Sequence, residues 1–189
     1  MTDINSEQTK EDFVDVICSL TDSRIRYTVY FGTLLGFYRN GKFIPHDDDI
    51  DVLLIEPDHY LLENFLTSLK TQSFSIKRHE GDILTVQRGS VNIDFYIAKK
   101  SFNRYICNNY FFPLEYLDDV EEMEIFGIKV NIPVNTEECL THLYGANWNV
   151  PISGYSASPK RVEYKIKLLV KRIVPRFIWR LLKFLFRRT

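Results

Sequence analysis

Four aspartates occupy the five positions 47–51, and an apolar segment begins inside this run. Residues 50–55 (IDVLLI) have the pattern of a strand that is buried on at least one face. Successive side chains of a strand point to opposite faces, so Asp49 and Asp51 are expected to project together, away from the core. The chain must therefore build a sheet that presents two carboxylates, about 7 Å apart along the backbone, at one place.

Two carboxylates on one face predict a site for a hard divalent cation such as Mg²⁺ or Mn²⁺. A third ligand is expected from Asp94, which stands between apolar residues in a second predicted strand, VNIDFYI. Three such acids can hold two metal ions about 4 Å apart, which clamp the attacking and leaving oxygens of a phosphoryl transfer. The alternative for Asp94 is an ordinary surface position on a strand.

The two aspartates that precede the strand are weaker candidates. Asp47 has the same parity as Asp49 and Asp51, and we consider it a candidate outer metal ligand. Asp48 is expected to point away. Alternatively, both belong to a solvated acidic turn after Pro45.

Gly32 and Thr33 lie between a predicted strand and a predicted short helix, where free backbone N–H groups and the helix dipole favour an anion. We therefore expect both residues to hold a phosphate group. Arg39 and Lys42 follow in the sequence, and we expect them to neutralise the charge of a diphosphate. The alternatives are a simple turn and two solvated surface cations.

The rest of the chain predicts an α+β fold with the order αβαβαβββ. A hairpin around Gly127, a short helix ending at Gly145 and a loop over 146–159 are expected to follow. The predicted helices and strands are, in chain order, a helix from Thr9–Asp12 to Ser23, strand 27–31, helix 34–39 stopped by Asn40 and Gly41, strand 50–55, a helix capped by Asp58, strands 74–78, 83–88 and 91–98, hairpin strands 122–126 and 128–132, and helix 136–144.

Charge is distributed unevenly along the 189 residues. Residues 160–189 hold eleven of the 24 Lys and Arg but one of the 25 acids, so their net charge is +10 against −11 for the remainder. Such a split predicts that this segment meets something anionic. We therefore divide the chain into a catalytic domain over 1–158 and a basic amphipathic helical tail over 159–189.

Apolar residues of the tail recur at helical spacing, opposite a stripe formed by Arg176, Arg180, Lys183 and Arg187. This pattern is typical of a helix that lies flat on an anionic membrane surface. The alternative is a helix packed on its own domain or on a second subunit. Nucleic acid is an unlikely partner, because the aromatic residues of the tail alternate with aliphatic rather than basic residues.

Cys18, Cys107 and Cys139 are odd in number and show no metal-ligand spacing, which predicts three free buried thiols in a reducing compartment. The polar N-terminus does not have the pattern of a secretory signal. No segment approaches the roughly 20 apolar residues of a membrane span. The expected location is cytoplasmic and peripheral, on the inner face of a membrane.

Several motifs resemble the LicD/fukutin family of the nucleotidyltransferase-fold superfamily. The first group comprises FGTLLG at 31–36, Arg39, FIP at 43–45 and DDDID at 47–51. The second comprises FPL at 112–114, FG at 126–127, IP at 132–133, LTHLYG at 140–145, Trp148 and Pro151. The resemblance covers about two thirds of the chain. One departure is His46, which stands where the family commonly has Trp.

This resemblance implies a small mixed β-sheet with helices packed on it. It also implies metal-dependent transfer of a phospho-alcohol, such as phosphocholine, ribitol phosphate or glycerol phosphate, from a CDP-activated donor to the hydroxyl of a glycan or lipid-linked glycan. Carried over to this sequence, Asp49, Asp51 and Asp94 would bind metal, while Gly32 and Thr33 would bind the donor phosphate.

Two other functions remain compatible with the sequence. A nucleotidyltransferase of the same fold would instead move NMP from an NTP to a hydroxyl. A non-catalytic membrane-binding or partner-binding module would retain the fold alone, although the presence of acids at all three predicted positions disfavours it.

Overall fold

The computed structural model describes residues 3–45, 47–108 and 110–151. The helices are α1 (Glu7–Asp22), α2 (Phe31–Asn40), α3 (His59–Thr71) and α4 (Thr136–Tyr144), with a short 3₁₀ helix at Leu114–Tyr116. The strands are β1 (Tyr27–Val29), β2 (Asp49–Ile55), β3 (Ser75–Glu80), β4 (Ile83–Gln87), β5 (Asn92–Ser101), β6 (Arg104–Cys107), β7 (Tyr110–Pro113), β8 (Val120–Ile125) and β9 (Ile128–Pro133). The predicted order αβαβαβββ, the hairpin and the last helix are confirmed.

A mixed sheet forms the centre of the fold, with strand order β1-β2-β5-β4-β3 and with β6 and β7 continuing from β5. Strands β2 and β5 run parallel, and their neighbours pair antiparallel. A second sheet consists of β8 and β9. The Thr28 hydroxyl of β1 donates a hydrogen bond to the Asn131 carbonyl of β9 at 3.2 Å, which ties the two sheets together. The predicted α+β class is confirmed.

Helix α3 packs on one face of the central sheet through apolar contacts, and the aspartates lie on the other face. Phe65 of α3 packs edge-on against Phe95 of β5, with ring centroids 5.4 Å apart. Asp94 is adjacent to Phe95 in the strand, so its side chain leaves the other face of the sheet. On the aspartate side, an aromatic cluster is formed by Tyr30, Phe31, Tyr96, Tyr110 and Phe112.

Helix α1 begins earlier than predicted. The expected start at Thr9–Asp12 is wrong, because the Ser6 hydroxyl accepts a hydrogen bond from the Thr9 N–H at 3.2 Å and serves as the N-cap. The helix buries Phe13 and Leu20, which recur at helical spacing within the predicted segment. A cap three residues upstream thus extends the helix without changing its buried face.

Helix α2 ends as predicted, at Gly41, whose φ of 64° lies in the left-handed region that glycine favours. Its beginning differs from the prediction. The helix starts at Phe31 and not at Leu34, so Gly32 and Thr33 belong to its first turn. The anticipated glycine turn is therefore the N-terminal turn of a helix.

The β6–β7 hairpin was not predicted. It continues β5 through a turn at Phe102 and closes through a second turn beginning at Asn108, and both residues have positive φ. Asparagine tolerates the positive φ found at Asn108, and the alternate residues Tyr105 and Cys107 are buried. The sequence offers no Asn-Gly or Asp-Gly pair in residues 102–113 that would mark this hairpin.

All three cysteines are free, as expected, but Cys18 is exposed and not buried because it lies on the outer side of α1. No helix among the described residues is long and apolar enough to cross a bilayer. The predicted tail helix over 159–189, most of the predicted loop and His46 lie outside the described residues. Those predictions, including the domain boundary, stay predictions.

Candidate active site

The parallel pairing of β2 and β5 brings the predicted aspartates to one face of the sheet. Asp51 is the register partner of Asp94, and Asp49 precedes Asp51 by two residues on the same face. The intervening Ile50 and the following Val52 are fully buried on the other face. The prediction that Asp49 and Asp51 project together, with Asp94 beside them on a neighbouring strand, agrees with this register.

The carboxylates of this face are largely withdrawn from solvent. Asp51 is 6% exposed and Asp94 is 7% exposed. Asp94 is therefore not a surface strand residue. Acids are rarely buried to this extent without a compensating partner, so their burial requires a specific role.

A tighter acidic cluster lies at the entrance of β2. Among the described residues, Asp47, Asp48 and Asp49 each offer one carboxylate oxygen to a group in which the three oxygens lie within 4.8 Å of one another. The expectation that Asp48 points away is wrong. The strand begins at Asp49, so strand alternation does not apply to the two residues before it. The combination of Asp49, Asp51 and Asp94 as metal ligands stays a prediction.

The negative charges of these acids repel one another. Burial, followed by repulsion from Asp47 and Asp94, raises the pKa of Asp49 to about 6. Burial and repulsion from Asp49 also hold the pKa of Asp51 well above its usual value. The pKa of Asp47 is raised mainly by burial. The site thus concentrates negative charge that a bound cation would stabilise.

Two tyrosines near the acids were not anticipated from sequence. The Tyr96 hydroxyl donates a hydrogen bond to Asp51, and burial together with the charge of Asp51 raises the pKa of this tyrosine. The pKa of Tyr144 is raised by burial and then by Asp51 and Asp47. Tyr96 has the same strand parity as Asp94, so strand alternation could have predicted that it lies on the aspartate face. Tyr144 lies on α4, inside the LTHLYG motif of the family resemblance, but its local pattern does not indicate that it lies near the acids.

The first turn of α2 adjoins the acids. A Cβ atom on Gly32 would lie 2.5 Å from a carboxylate oxygen of Asp47, so only glycine fits here without displacing that side chain. The Thr33 hydroxyl accepts a hydrogen bond from the Asp51 N–H at 2.9 Å and is buried. The first N–H groups of a helix have no intrahelical acceptor, which suits an anion. The phosphate-binding roles of Gly32 and Thr33 stay predictions.

Thr33 is expected to contribute to stability through this hydrogen bond. In Thr33→Val the buried N–H of Asp51 loses its acceptor, which should lower the free energy of unfolding by about 1–3 kcal/mol in urea titration. Thr33→Ser keeps the oxygen and is the matched control, with a smaller loss expected. Equal stability of the valine variant and the wild type would show that this contact does not hold β2 to α2.

Arg39 and Lys42 lie at the C-terminal end of α2, away from its first turn. Arg39 lies in the last turn of α2 and is half-buried, whereas Lys42 is exposed. Within the part of the chain that the structure describes, neither cation forms an ion pair. Their predicted role in neutralising a diphosphate stays a prediction.

Solved structures share this fold. A crystal structure of ANT(2'')-Ia in complex with adenylyl-2''-tobramycin matches with a TM-score of 0.52 and 14% identity, covering 88% of this chain and 91% of that one. A solution structure of the same antibiotic-resistance factor matches with a TM-score of 0.54, also at 14% identity, covering 89% and 86%. The predicted nucleotidyltransferase-like fold is confirmed.

The relatives in sequence carry the description "uncharacterized protein". One from Rickettsia typhi is 29% identical over 87 residues, which are 46% of this chain and 27% of the relative. One from Caenorhabditis elegans is 38% identical over 82 residues, 39% of this chain and 21% of the relative. The matched segments thus span about a quarter of these longer proteins.

A family comparison covers the carboxylate site. The model described as LicD/FKTN/FKRP, nucleotidyltransferase domain, matches residues 24–135. This segment begins before β1 and contains Gly32, Thr33, the run 47–51 and Asp94. Its extent, more than half of the chain, confirms the predicted resemblance, and the chain therefore belongs to the LicD/FKTN/FKRP family.

Proposed function

We propose that this protein transfers a phospho-alcohol from a CDP-activated donor to a glycan hydroxyl, in a reaction that depends on Mg²⁺ or Mn²⁺. Phosphocholine, ribitol phosphate and glycerol phosphate are the candidate groups. The observation that carries the proposal is the in-register pair of Asp51 and Asp94 on parallel strands, beside Asp49, inside the segment that matches the family.

The residues of the site fit a hard divalent cation. They offer carboxylate oxygens, the ligands that Mg²⁺ and Mn²⁺ prefer, and the pKa values of Asp49 and Asp51 are raised by burial and then by repulsion between the carboxylates. In the proposal Asp49, Asp51 and Asp94 hold the ion, with Asp47 as an outer ligand. A bound ion would supply stabilisation of the charge that develops on the transferred phosphate.

Two residues of the protein position the Asp51 carboxylate in this proposal. Tyr96 orients the Asp51 carboxylate through its hydroxyl, and Thr33 fixes the Asp51 backbone. In the proposal the first-turn N–H groups of α2 bind phosphate oxygens, and Asp94 accepts the proton of the attacking glycan hydroxyl. The glycan oxygen forms a bond to the β-phosphorus, which carries the alcohol, while the bond from this phosphorus to the bridging oxygen breaks and CMP leaves with that oxygen.

A donor panel tests the proposal. The protein is incubated with Mg²⁺, a glycan extract and CDP-choline, CDP-ribitol, CDP-glycerol or each of the four NTPs, and released CMP and pyrophosphate are measured. Release of CMP from one CDP-alcohol, dependent on the extract, is the expected result. Pyrophosphate release from an NTP without CMP release would overturn it.

A second candidate function is transfer of NMP from an NTP to a hydroxyl. It is favoured by the likeness to ANT(2'')-Ia, whose crystal structure holds adenylyl-2''-tobramycin. At 14% identity this likeness concerns the fold, so we rank this function below the first. A third possibility, a non-catalytic binding module, would release neither CMP nor pyrophosphate from any donor.

We also propose that residues 160–189 attach the protein to an anionic membrane surface, such as the cytoplasmic leaflet that presents lipid-linked glycans. Each Lys or Arg near such a surface contributes about 1 kcal/mol of attraction, so a net charge of +10 supports binding at low salt. The full chain should float with vesicles containing phosphatidylserine, and the chain without residues 175–189 should float less. Equal soluble fractions of the two proteins would contradict this proposal.

A further inference from the structure

A row of polar side chains crosses four strands on the aspartate face. Arg78 of β3 pairs in register with Thr85 of β4, Thr85 pairs with Asp94 of β5, and Asp94 pairs with Asp51 of β2. Side chains in register on adjacent strands share a face. Arg78 therefore stands at the end of the row that contains two of the predicted metal ligands.

Arg78 reaches this face because of an irregularity in its strand. The register of β3 and β4 shifts between Ile76 and Arg78, so that Lys77 has no partner of its own. Without this bulge, Lys77 would oppose Thr85 and Arg78 would turn to the opposite face. Bulges commonly redirect a side chain beside an active site.

The guanidinium contacts one of the site carboxylates directly. Arg78 Nη2 lies 3.1 Å from Asp94 Oδ2. Two strand spacings, about 9–10 Å, separate the two backbones, and the small Thr85 side chain between them leaves room for this reach. The second oxygen of Asp94 is not used by Arg78, so one carboxylate can serve the guanidinium and a cation together.

Most N–H groups of the Arg78 guanidinium remain available to bind a ligand. The Arg78 side chain is 49% exposed, whereas the side chain of its partner Asp94 is 10% exposed. Arginine carries five N–H donors, and among the described residues Asp94 is the one hydrogen-bond acceptor that Arg78 contacts. A planar fork of unused donors beside Asp94 suits an anion such as phosphate, which the aspartates themselves would repel.

We propose that Arg78 is a phosphate-binding residue that also positions Asp94. Its guanidinium fixes Asp94 through Oδ2 and presents its remaining N–H groups to the diphosphate of a nucleoside diphosphate donor. This inference deepens the proposed function and rests on it for the identity of the donor. It adds a cation on the β3 edge, far in sequence from Arg39 and Lys42.

The test measures binding of CDP and of cytidine to the full chain by calorimetry, at saturating Mn²⁺. The wild type should bind CDP more tightly than cytidine. Arg78→Ala should weaken CDP binding at least about 10-fold and leave cytidine binding unchanged, because cytidine has no phosphate. Arg78→Lys should restore part of the loss, since it keeps the charge without the fork. Lys77→Ala, on the adjacent bulge residue, is the matched control and should bind like the wild type.

The outcomes test the assignment of Arg78 separately from the proposed transfer reaction. If Arg78→Ala keeps the full preference for CDP, or if the wild type has no such preference, the assignment of Arg78 is overturned. Equal losses for CDP and cytidine would show a structural role only and would also overturn it. If the expected losses occur but no CDP-alcohol yields CMP, the assignment of Arg78 stands and the proposed transfer reaction fails.

Discussion

Replacement of Asp51 by Asn is expected to lower phospho-alcohol transfer by at least about 100-fold while leaving the fold intact. Asp51 is buried, accepts a hydrogen bond from Tyr96 and pairs in register with Asp94. Asparagine keeps the size and one acceptor of the side chain but removes the charge that a divalent cation requires. The measurement is the rate of CMP release at saturating Mg²⁺ and donor, with circular dichroism as the test of folding.

Asp94→Asn should show the same loss, because Asp94 lies beside Asp51 on the same face. Asp58→Asn is the matched control. Asp58 is an exposed acid that caps α3, and asparagine caps a helix equally well, so activity and stability should not change. Transfer by Asp51→Asn at a rate within three-fold of the wild type would remove Asp51 from the site.

Divalent cations are expected to control both activity and stability. Chelation with EDTA should reduce transfer to the background rate, and Mg²⁺ or Mn²⁺ should restore it. A ligand that binds only the folded state, present at 100 times its Kd, stabilises that state by about 2.7 kcal/mol. In a chain of this size the Tm should therefore rise by about 5–10 °C. Asp51→Asn should show little of this rise.

The pH dependence of stability provides a separate test in metal-free buffer. The pKa of Asp49 in the folded protein is about 6, against an ordinary value of 3.8, so the folded state binds more protons than the unfolded state between these values. The free energy of unfolding should therefore fall as pH rises from about 4 to 6. Asp49→Asn should reduce this slope, to which Asp47 and Asp51 also contribute, and stabilise the protein at pH 7 by about 1 kcal/mol, after allowance for solvent screening. A wild type that gains stability across this range, or that shows no shift of Tm with Mg²⁺, would contradict a cation site here.

The shared face of Asp49 and Asp51 could be predicted because strand alternation is a local property of the backbone. The pairing of Asp51 with Asp94 could not be derived from local pattern, since 43 residues separate them and register depends on which strands become neighbours. The acid within an apolar strand marked Asp94 as unusual, and the family resemblance indicated its role.

Other features of the site arise from geometry that local sequence does not encode. Arg78 faces the aspartates because of a one-residue bulge, and the exposed strand β3 shows no alternation that would reveal it. Tyr144 approaches the acids only after α4 packs on the fold. Asp48 was assigned the wrong direction because strand alternation was extended to it, although the strand begins only at Asp49.

The central claim is that a phosphate carrying an alcohol, and not a nucleotide, reaches the acceptor. It is tested most directly with two labels, one in the alcohol of CDP-choline, CDP-ribitol or CDP-glycerol and one in the cytidine of the same donors and of CTP. The wild type, with Mg²⁺ and a glycan extract, should transfer the alcohol label of one donor to glycan, while the cytidine label leaves as CMP. Cytidine label covalently bound to glycan, or alcohol transfer that survives in Asp51→Asn, would contradict the claim.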